Sequence, residues 1–280
     1  MRGIRRACLV VALFSLAWLG VATSDAAAAL CGGLPATIVG TPGNDRIVGT
    51  PGQDVIDAGA GKDTIYARGG DDFICARGGA DTIHGGAGGE MVMKGGDGAD
   101  VLNGGPGGDA MRDGRGADVI DGGSGRDSLS NGRGADVFYG KGGNDVAYDG
   151  RGNDVYYGRR GDDYADFVGN ESDVFFGGHG RDAVSVTTQS GAFVDLSTGR
   201  VQGTGNDFVH SVENAFGSSR ADTLIGSAAR NVLLGGRGDD RIEGGDGDDL
   251  LKGSFGTDHL DGGNGTDTCR QGETVLNCEA

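Results

Sequence analysis

Gly95-Gly96-Asp97-Gly98-Ala99-Asp100-Val101-Leu102-Asn103 is followed at once by Gly104-Gly105-Pro106-Gly107-Gly108-Asp109-Ala110-Met111-Arg112, which is the nine-place pattern Gly-Gly-x-Gly-x-Asp-x-apolar-x written twice. Outward from this pair the pattern runs through residues 40–185 and resumes over 217–270. Complete copies stand at 95–100, 104–109, 122–127, 177–182, 235–240, 244–249 and 262–267, in phase with many looser ones. A fixed short period means that each repeat is one structural unit, stable only against its neighbours.

The eighth place carries an apolar ladder: Ile47, Ile56, Ile65, Ile74, Ile83, Val92, Leu102, Met111, Ile120, Leu129, Phe138, Ala147, Tyr156, Ala165, Phe175 and Val184. The steps from Val92 to Leu102 and from Ala165 to Phe175 are ten residues long, and Lys94 and Phe167 are read as the extra residues, each a local bulge. A second ladder, Leu224, Leu233, Ile242, Leu251, Leu260 and Cys269, keeps the period of nine. A six-residue glycine-rich turn followed by a short strand, x-apolar-x, points the middle side chain inward and its neighbours out. Successive strands then fall on opposite sheets, and eighteen residues complete a coil. Phe138, Tyr156 and Phe175 belong to one sheet and face the small Ala147 and Ala165 on the other.

The expected fold is therefore all-β: a parallel β-roll, a right-handed β-helix-like solenoid. Its two repeat blocks, 40–185 and 217–270, are separated by an irregular β segment, 186–216. A cap at 30–39 precedes them and a disulfide cap at 271–280 follows. Composition alone points elsewhere. With 61 glycines in 280 residues, 6% aromatics and a net charge of -17, the chain sits near the disordered class. Periodicity overrules this, because glycines recur where a turn needs positive φ and aspartates where a cation is reached. The acidic excess repels nucleic acid and suits a multivalent cation.

Residues 1–29 differ in kind. Arg2, Arg5 and Arg6 precede an apolar run, 7–21, and Ala26 to Ala29 offers Ala-x-Ala cleavage choices, the layout of a secretory signal peptide. The run is shorter than the roughly 20 residues of a bilayer span, so no stable membrane span is expected. Whether Arg5-Arg6 marks twin-arginine or general export stays open. Cys8 leaves with the signal, and Cys31, Cys75, Cys269 and Cys278 make an even set in a secreted chain. Of the three pairings open to them, Cys31–Cys75 and Cys269–Cys278 are preferred, each couple lying near one end of the array. Cys269 and Cys278, nine apart, are expected at inward eighth places on facing sheets.

The nonapeptide resembles that of hemolysin-type calcium-binding (RTX) proteins, and the likeness covers most of the chain after the signal. It implies a parallel β-roll with several calcium ions, held by aspartates and backbone carbonyls of neighbouring turns. The stretch 193–199, followed by Val212-Glu213-Asn214 and Gly217, is similar to the segment before the last β-roll of serralysin-type proteases. Two features depart from that family's usual export pattern: the N-terminal signal, and an ending in Cys269, Cys278 and Glu279. No catalytic domain is expected in the stretch that the repeats occupy. In these respects the chain looks like the stand-alone secreted forms found in actinobacteria.

Calcium takes hard oxygen ligands, which the turn supplies. The expected ligands are the sixth-place carboxylates Asp45, Asp54, Asp63, Asp72, Asp81, Asp100, Asp109, Asp118, Asp127, Asp136, Asp145, Asp154, Asp163, Asp182, Asp240, Asp249, Asp258 and Asp267, each ion lying between turns stacked on one edge. Glu90 at a sixth place, and Arg220 in place of the turn glycine before Asp222, mark turns expected to bind less well. One repeat buries a single aliphatic side chain, which returns about 1.5–3 kcal/mol. Ordering its backbone costs about 1–2 kcal/mol per residue. Folding is therefore expected to be coupled to ion binding.

Arg115, Arg133 and Arg151 recur eighteen apart at the third place; they form either a solvated row or pairs with nearby aspartates that weaken calcium there. Val119, Val137 and Val155, with Tyr139, Tyr157 and Phe176, should lie outside one sheet, as a contact face or beneath 186–216. His84, His179, His210 and His259 form no His-Glu-x-x-His motif, no serine has a Gly-x-Ser-x-Gly setting, and pairs such as Asp71-Asp72, Asp162-Asp163 and Asp248-Asp249 recur with the turn. A non-catalytic, secreted calcium-binding module for adhesion or structure, with an extracellular surface, polymer or protein as partner, is the leading expectation. The alternative is a calcium-stabilised exoenzyme or toxin-related protein.

Overall fold

A computed structural model describes residues 30–89, 92–203 and 205–279; the signal-peptide expectation for 1–29 and Glu90 lie outside them. The described residues form strands and turns without helix, and none of their elements is a helix long and apolar enough to cross a membrane. Two sheets, of 15 and 13 strands, face each other, and successive repeats alternate between them. Ile47, Ile65, Ile83, Leu102, Ile120, Phe138, Tyr156 and Phe175 lie on the first sheet, and Ile56, Ile74, Met111, Leu129, Ala147, Ala165 and Val184 on the second. Eighteen residues separate parallel neighbours, as in Leu102↔Ile120 and Leu129↔Ala147. The core is one file of buried side chains between the sheets, with bulky Phe138, Tyr156 and Phe175 against Ala147 and Ala165.

Many strands are longer than three residues. Val101–Pro106 spans six and pairs with Val119–Ser124 from Val101↔Val119 through Pro106↔Ser124. The strand thus continues through the first three places of the next repeat, and Gly104 faces inward like Leu102. Where a strand runs on in this way, its second-place residue has positive φ. Gly105 takes +110°, and of the side chains that stand at this place with positive φ, Arg77 and Lys141, at +78° and +72°, pair with Asp57 and Asp121.

Both ten-residue steps fall elsewhere than expected. Met93, not Val92, is fully buried; Ile74↔Met93 and Met111↔Met93 are in register, and Lys94 pairs normally with Cys75 and Arg112. The extra residue lies between Ala87 and Val92. Phe167 also stays in register, opposite Val186, and its side chain is buried; the second extra residue lies in the turn before Val174–His179. A bulge inside a strand would interrupt pairing with both neighbours, whereas a turn absorbs a residue and leaves the ladder whole.

The segment 186–216 carries the stack onward. Asn206–His210 pairs with Val174–His179, Asn214–Phe216 with Ala183–Thr187, and Phe193–Asp195 with Arg200–Gln202 makes an inserted antiparallel hairpin. It does not cover the outer aromatic face. Tyr139, Tyr157 and Phe176 stay partly exposed, and His210 lengthens their column, with successive ring centroids 5.2, 5.0 and 4.8 Å apart.

The disulfides are Cys31–Cys75 and Cys269–Cys278, with Cα atoms 5.7 and 5.9 Å apart. Cys278 does not occupy a facing eighth place. Val275 stacks on Leu260 there, and Cys278 follows it, beside the bridge between Thr268 and Glu279. The last coil is cut short, so the chain is back at Cys269 after nine residues.

Candidate metal centre

The aspartates form ladders along the edges of the roll. In each, a backbone N–H donates to Oδ1 of the aspartate one coil further on. The longest runs Asp45, Asp63, Asp81, Asp100, Asp118, Asp136, Asp154, Asp173, Asp207, with every bond between 2.6 and 3.0 Å. On the opposite edge Asp54 donates to Asp72, and Asp109, Asp127, Asp145, Asp163 and Asp182 run on to Glu213. In the second block Asp222, Asp240 and Asp258 end on Glu273, and Asn231, Asp249 and Asp267 end on Glu279. All eighteen expected residues are therefore collected into these ladders.

The ladders also contain residues missed in the sequence. Asp173 follows a turn that keeps only Gly169, Asp207 follows the hairpin, and Asp222 follows Arg220, which stands in place of a turn glycine. Glu213, Glu273 and Glu279 cap three ladders where the period breaks, and no nonapeptide signal marks them. An outer row accompanies the inner one: Asn144, Asp162, Asp239 and Asp248, at the fifth place, accept N–H bonds from Asp162, Arg181, Thr257 and Thr266.

What Oδ2 meets divides the turns. In Asp63, Asp72, Asp81, Asp100, Asp118, Asp127, Asp136, Asp145, Asp163, Asp173, Asp182, Asp240, Asp249, Asp258 and Asp267 it is buried without a hydrogen-bond partner. In Asp45 and Asp54 it accepts from the N–H and hydroxyl of Thr41 and Thr50, and in Asp222 from those of Ser218. In Asp154 it accepts from the Asn131 side-chain amide at 2.6 Å.

The unpartnered oxygens converge on space that the first glycine leaves open. A Cβ on Gly95 would lie 2.4 Å from Asp100 Oδ2 and 2.6 Å from the Asp113 carbonyl; on Gly244, 2.4 Å from both Asp249 Oδ2 and the Gly262 carbonyl. Carboxylate and carbonyl oxygens from two stacked turns thus share one cradle, the hard donor set that calcium takes. Its charge is poorly solvated. Burial, reinforced by neighbouring carboxylates and opposed by the ladder N–H, lifts Asp100, Asp127, Asp136, Asp163 and Asp173 to about 7. Asp182 and Asp240 rise to about 6.

Arg115, Arg133 and Arg151 stack on one edge by backbone bridges. Arg115 reaches Asp97 at 3.6 Å, and both side chains are exposed, an arrangement worth little.

Fold and site together define a class: a parallel two-sheet roll whose turns hold repeated oxygen cradles for hard cations. The family model of the RTX calcium-binding nonapeptide repeat matches residues 39–74, 76–89, 94–129, 130–165, 216–251 and 234–269, more than half of the chain, which therefore belongs to this family of calcium-binding β-roll proteins. A comparison with characterised proteins returned no match.

Proposed function

We propose that the ladder carboxylates hold calcium through Oδ2 with carbonyls of the stacked turn, and that the chain folds only when they do. One observation carries this: the buried Oδ2 atoms without partners. An anionic oxygen taken out of water with no donor costs several kcal/mol, and the fold repeats that cost coil after coil. A divalent ion in each cradle reverses it. Asp63, Asp72, Asp81, Asp100, Asp118, Asp127, Asp136, Asp145, Asp163, Asp182, Asp240, Asp249, Asp258 and Asp267 are the main ligands in this reading, joined by Asp173. Asp109 takes the same ladder place, Asp45 and Asp54, whose Oδ2 already accepts hydrogens from Thr41 and Thr50 of their own turns, are weaker ligands, and Asp154, whose Oδ2 accepts the Asn131 amide hydrogen, stands beside Asp149 and Asp173.

The protein acts as a secreted, non-catalytic module for binding, adhesion or structure. Supporting this are the leader-like 1–29 segment, the paired cysteines, and the partly exposed column Tyr139, Tyr157, Phe176, His210. The acidic pairs that resemble acid/base couples have ladder duties: Asp163 and Asp249 on the inner row, Asp162 and Asp248 on the outer. Circular dichroism tests the central claim. Little β-structure is expected in chelator, with a cooperative gain in millimolar calcium and none in magnesium. A spectrum already folded in chelator would sink it.

A further inference from the structure

Along one edge the first place of three stacked turns is not glycine. Asp113, Asn131 and Asp149 stand there, eighteen residues apart, with their register fixed by the bridges Arg115↔Arg133 and Arg133↔Arg151. Their side chains enter the space that Gly95 and Gly244 leave open. Asn131 shows what the place demands: its amide donates to Asp154 Oδ2 of the next coil at 2.6 Å, both residues being buried.

Asp113 and Asp149 have nearly the same shape and, as carboxylates, no hydrogen to give. Asp113 nonetheless stands with Asp118 and Asp136, one oxygen of each lying within 4.8 Å of the others, and Asp149 stands likewise with Asp154 and Asp173. Asp113, Asp118 and Asp136 are each at least 98% buried, and the Oδ2 atom of all three lacks a partner. At the second cluster Asp173 Oδ2 is likewise unpartnered. Asp149, Asp154 and Asp173 also line a cavity of about 20 Å³, room for one water-sized occupant. The column thus contains its own control: Asn131 satisfies the carboxylate of the next coil with a hydrogen, whereas Asp113 brings a third unpartnered carboxylate oxygen to Asp118 and Asp136, and Asp149, held by the Val168 N–H, faces Asp173 and the Asp154 carboxylate that also carries the Asn131 hydrogen.

We propose that Asp113 and Asp149 each add a third carboxylate to the ion cradles at Asp118/Asp136 and Asp154/Asp173, making these the two tightest calcium sites of the roll, while Asn131 between them gives an amide hydrogen to the next coil instead of a charge. This rests on the calcium reading above. Affinity for a hard divalent ion rises with the number of charged ligands, and the third carboxylate comes from backbone held by its neighbours, Asp113 within Ala110–Arg115 and Asp149 through its N–H to the Asp166 carbonyl. The two sites fill first, so ordering of the roll starts at the coils that hold them.

The test is calcium competition on the oxidised full chain against a chromophoric chelator, which counts the ions held most tightly. Two such ions are expected in the unaltered protein. Asp113→Asn and Asp149→Asn should each lose one of them, that step weakening on the order of tenfold, with an unchanged dichroism spectrum at saturating calcium. Asn131→Asp should gain one. Unaltered protein that takes up no calcium removes the underlying reading and this proposal together. Normal uptake with the same tight ions in both Asn variants overturns this proposal alone. If those variants do not fold in saturating calcium, Asn131→Asp decides: a gained tight ion upholds the proposal and none overturns it.

Discussion

Each ladder aspartate uses its two oxygens differently. Oδ1 accepts an N–H from the preceding coil, which favours the anion, while Oδ2 is shut away, which disfavours it. Burial dominates, so in the ion-free roll Asp100, Asp127, Asp136, Asp163 and Asp173 titrate at about 7 and not near 3.8. A carboxyl whose folded value is raised holds its proton better folded than unfolded. The stability it contributes is therefore complete below about pH 4 and is lost as pH rises through about 7. In chelator, then, lowering pH from about 8 to about 5 should increase β-structure. Over the same range calcium affinity should fall, since the ion must displace protons. Dichroism against pH in chelator, with calcium titrations at both ends, measures the two together. An ion-free chain equally unfolded throughout, with one calcium midpoint, would show that these carboxylates do not share buried surroundings.

At the scale of the turn, each block opens on a pair that closes itself. Thr41 and Thr50 begin the first, Ser218 and Ser227 the second, and each donates through its N–H and hydroxyl to the sixth-place side chain of its own turn. These turns spend protein donors where others leave a bare oxygen. Thr50→Ala should therefore lower stability at saturating calcium by about 1 kcal/mol, the worth of one hydrogen bond, without changing the number of ions bound. Denaturant unfolding with calcium counting checks this; a lost ion would mean that Asp54 is an ordinary ligand. The period itself was legible because nine residues return the chain to the facing sheet, so Leu102 and Ile120 must stack. Other features leave no such mark. Val92 and Met93 are both apolar, and only the lower cost of an extra residue in a turn selects Met93. Glu213, Glu273 and Glu279 reach the ladders from 31, 15 and 12 residues away, outside any repeat. Asn131 and its neighbours Asp113 and Asp149 read as blemished glycine positions until the coil places them beside Asp154, Asp136 and Asp173.

For the whole molecule, a stack of like coils is only as secure as its ends, because an end coil has one neighbour and inner coils have two. At the amino end Cys31–Cys75 and the Arg77–Asp57 pair tie the first strands down. The carboxyl end is less protected. Thr274–Leu276 is exposed along its length and, among the described residues, pairs with His259–Asn264 alone, while Phe255, with 70% of its surface exposed, lies open on the last coils. Glu273 and Glu279 supply the final ladder acceptors, to the N–H groups of Asp258 and Asp267, and Cys269–Cys278 keeps the segment that carries Glu279 in place. Closing so short a loop is worth about 2–3 kcal/mol by its effect on the unfolded chain. Ion binding at the last coil is linked to that coil's order, so removing the bridge should act as a local loss of calcium affinity. Changing Cys269 and Cys278 together to Ser is expected to raise the calcium needed to protect the amides of His259–Asn264 and Thr268–Arg270 from hydrogen exchange, leaving strands such as Val119–Ser124 at their original midpoint. Equal shifts in both regions would mean that the roll orders as one unit with no separable end. An unchanged midpoint at the last coil would mean that Glu273 and Glu279 hold it without the bridge.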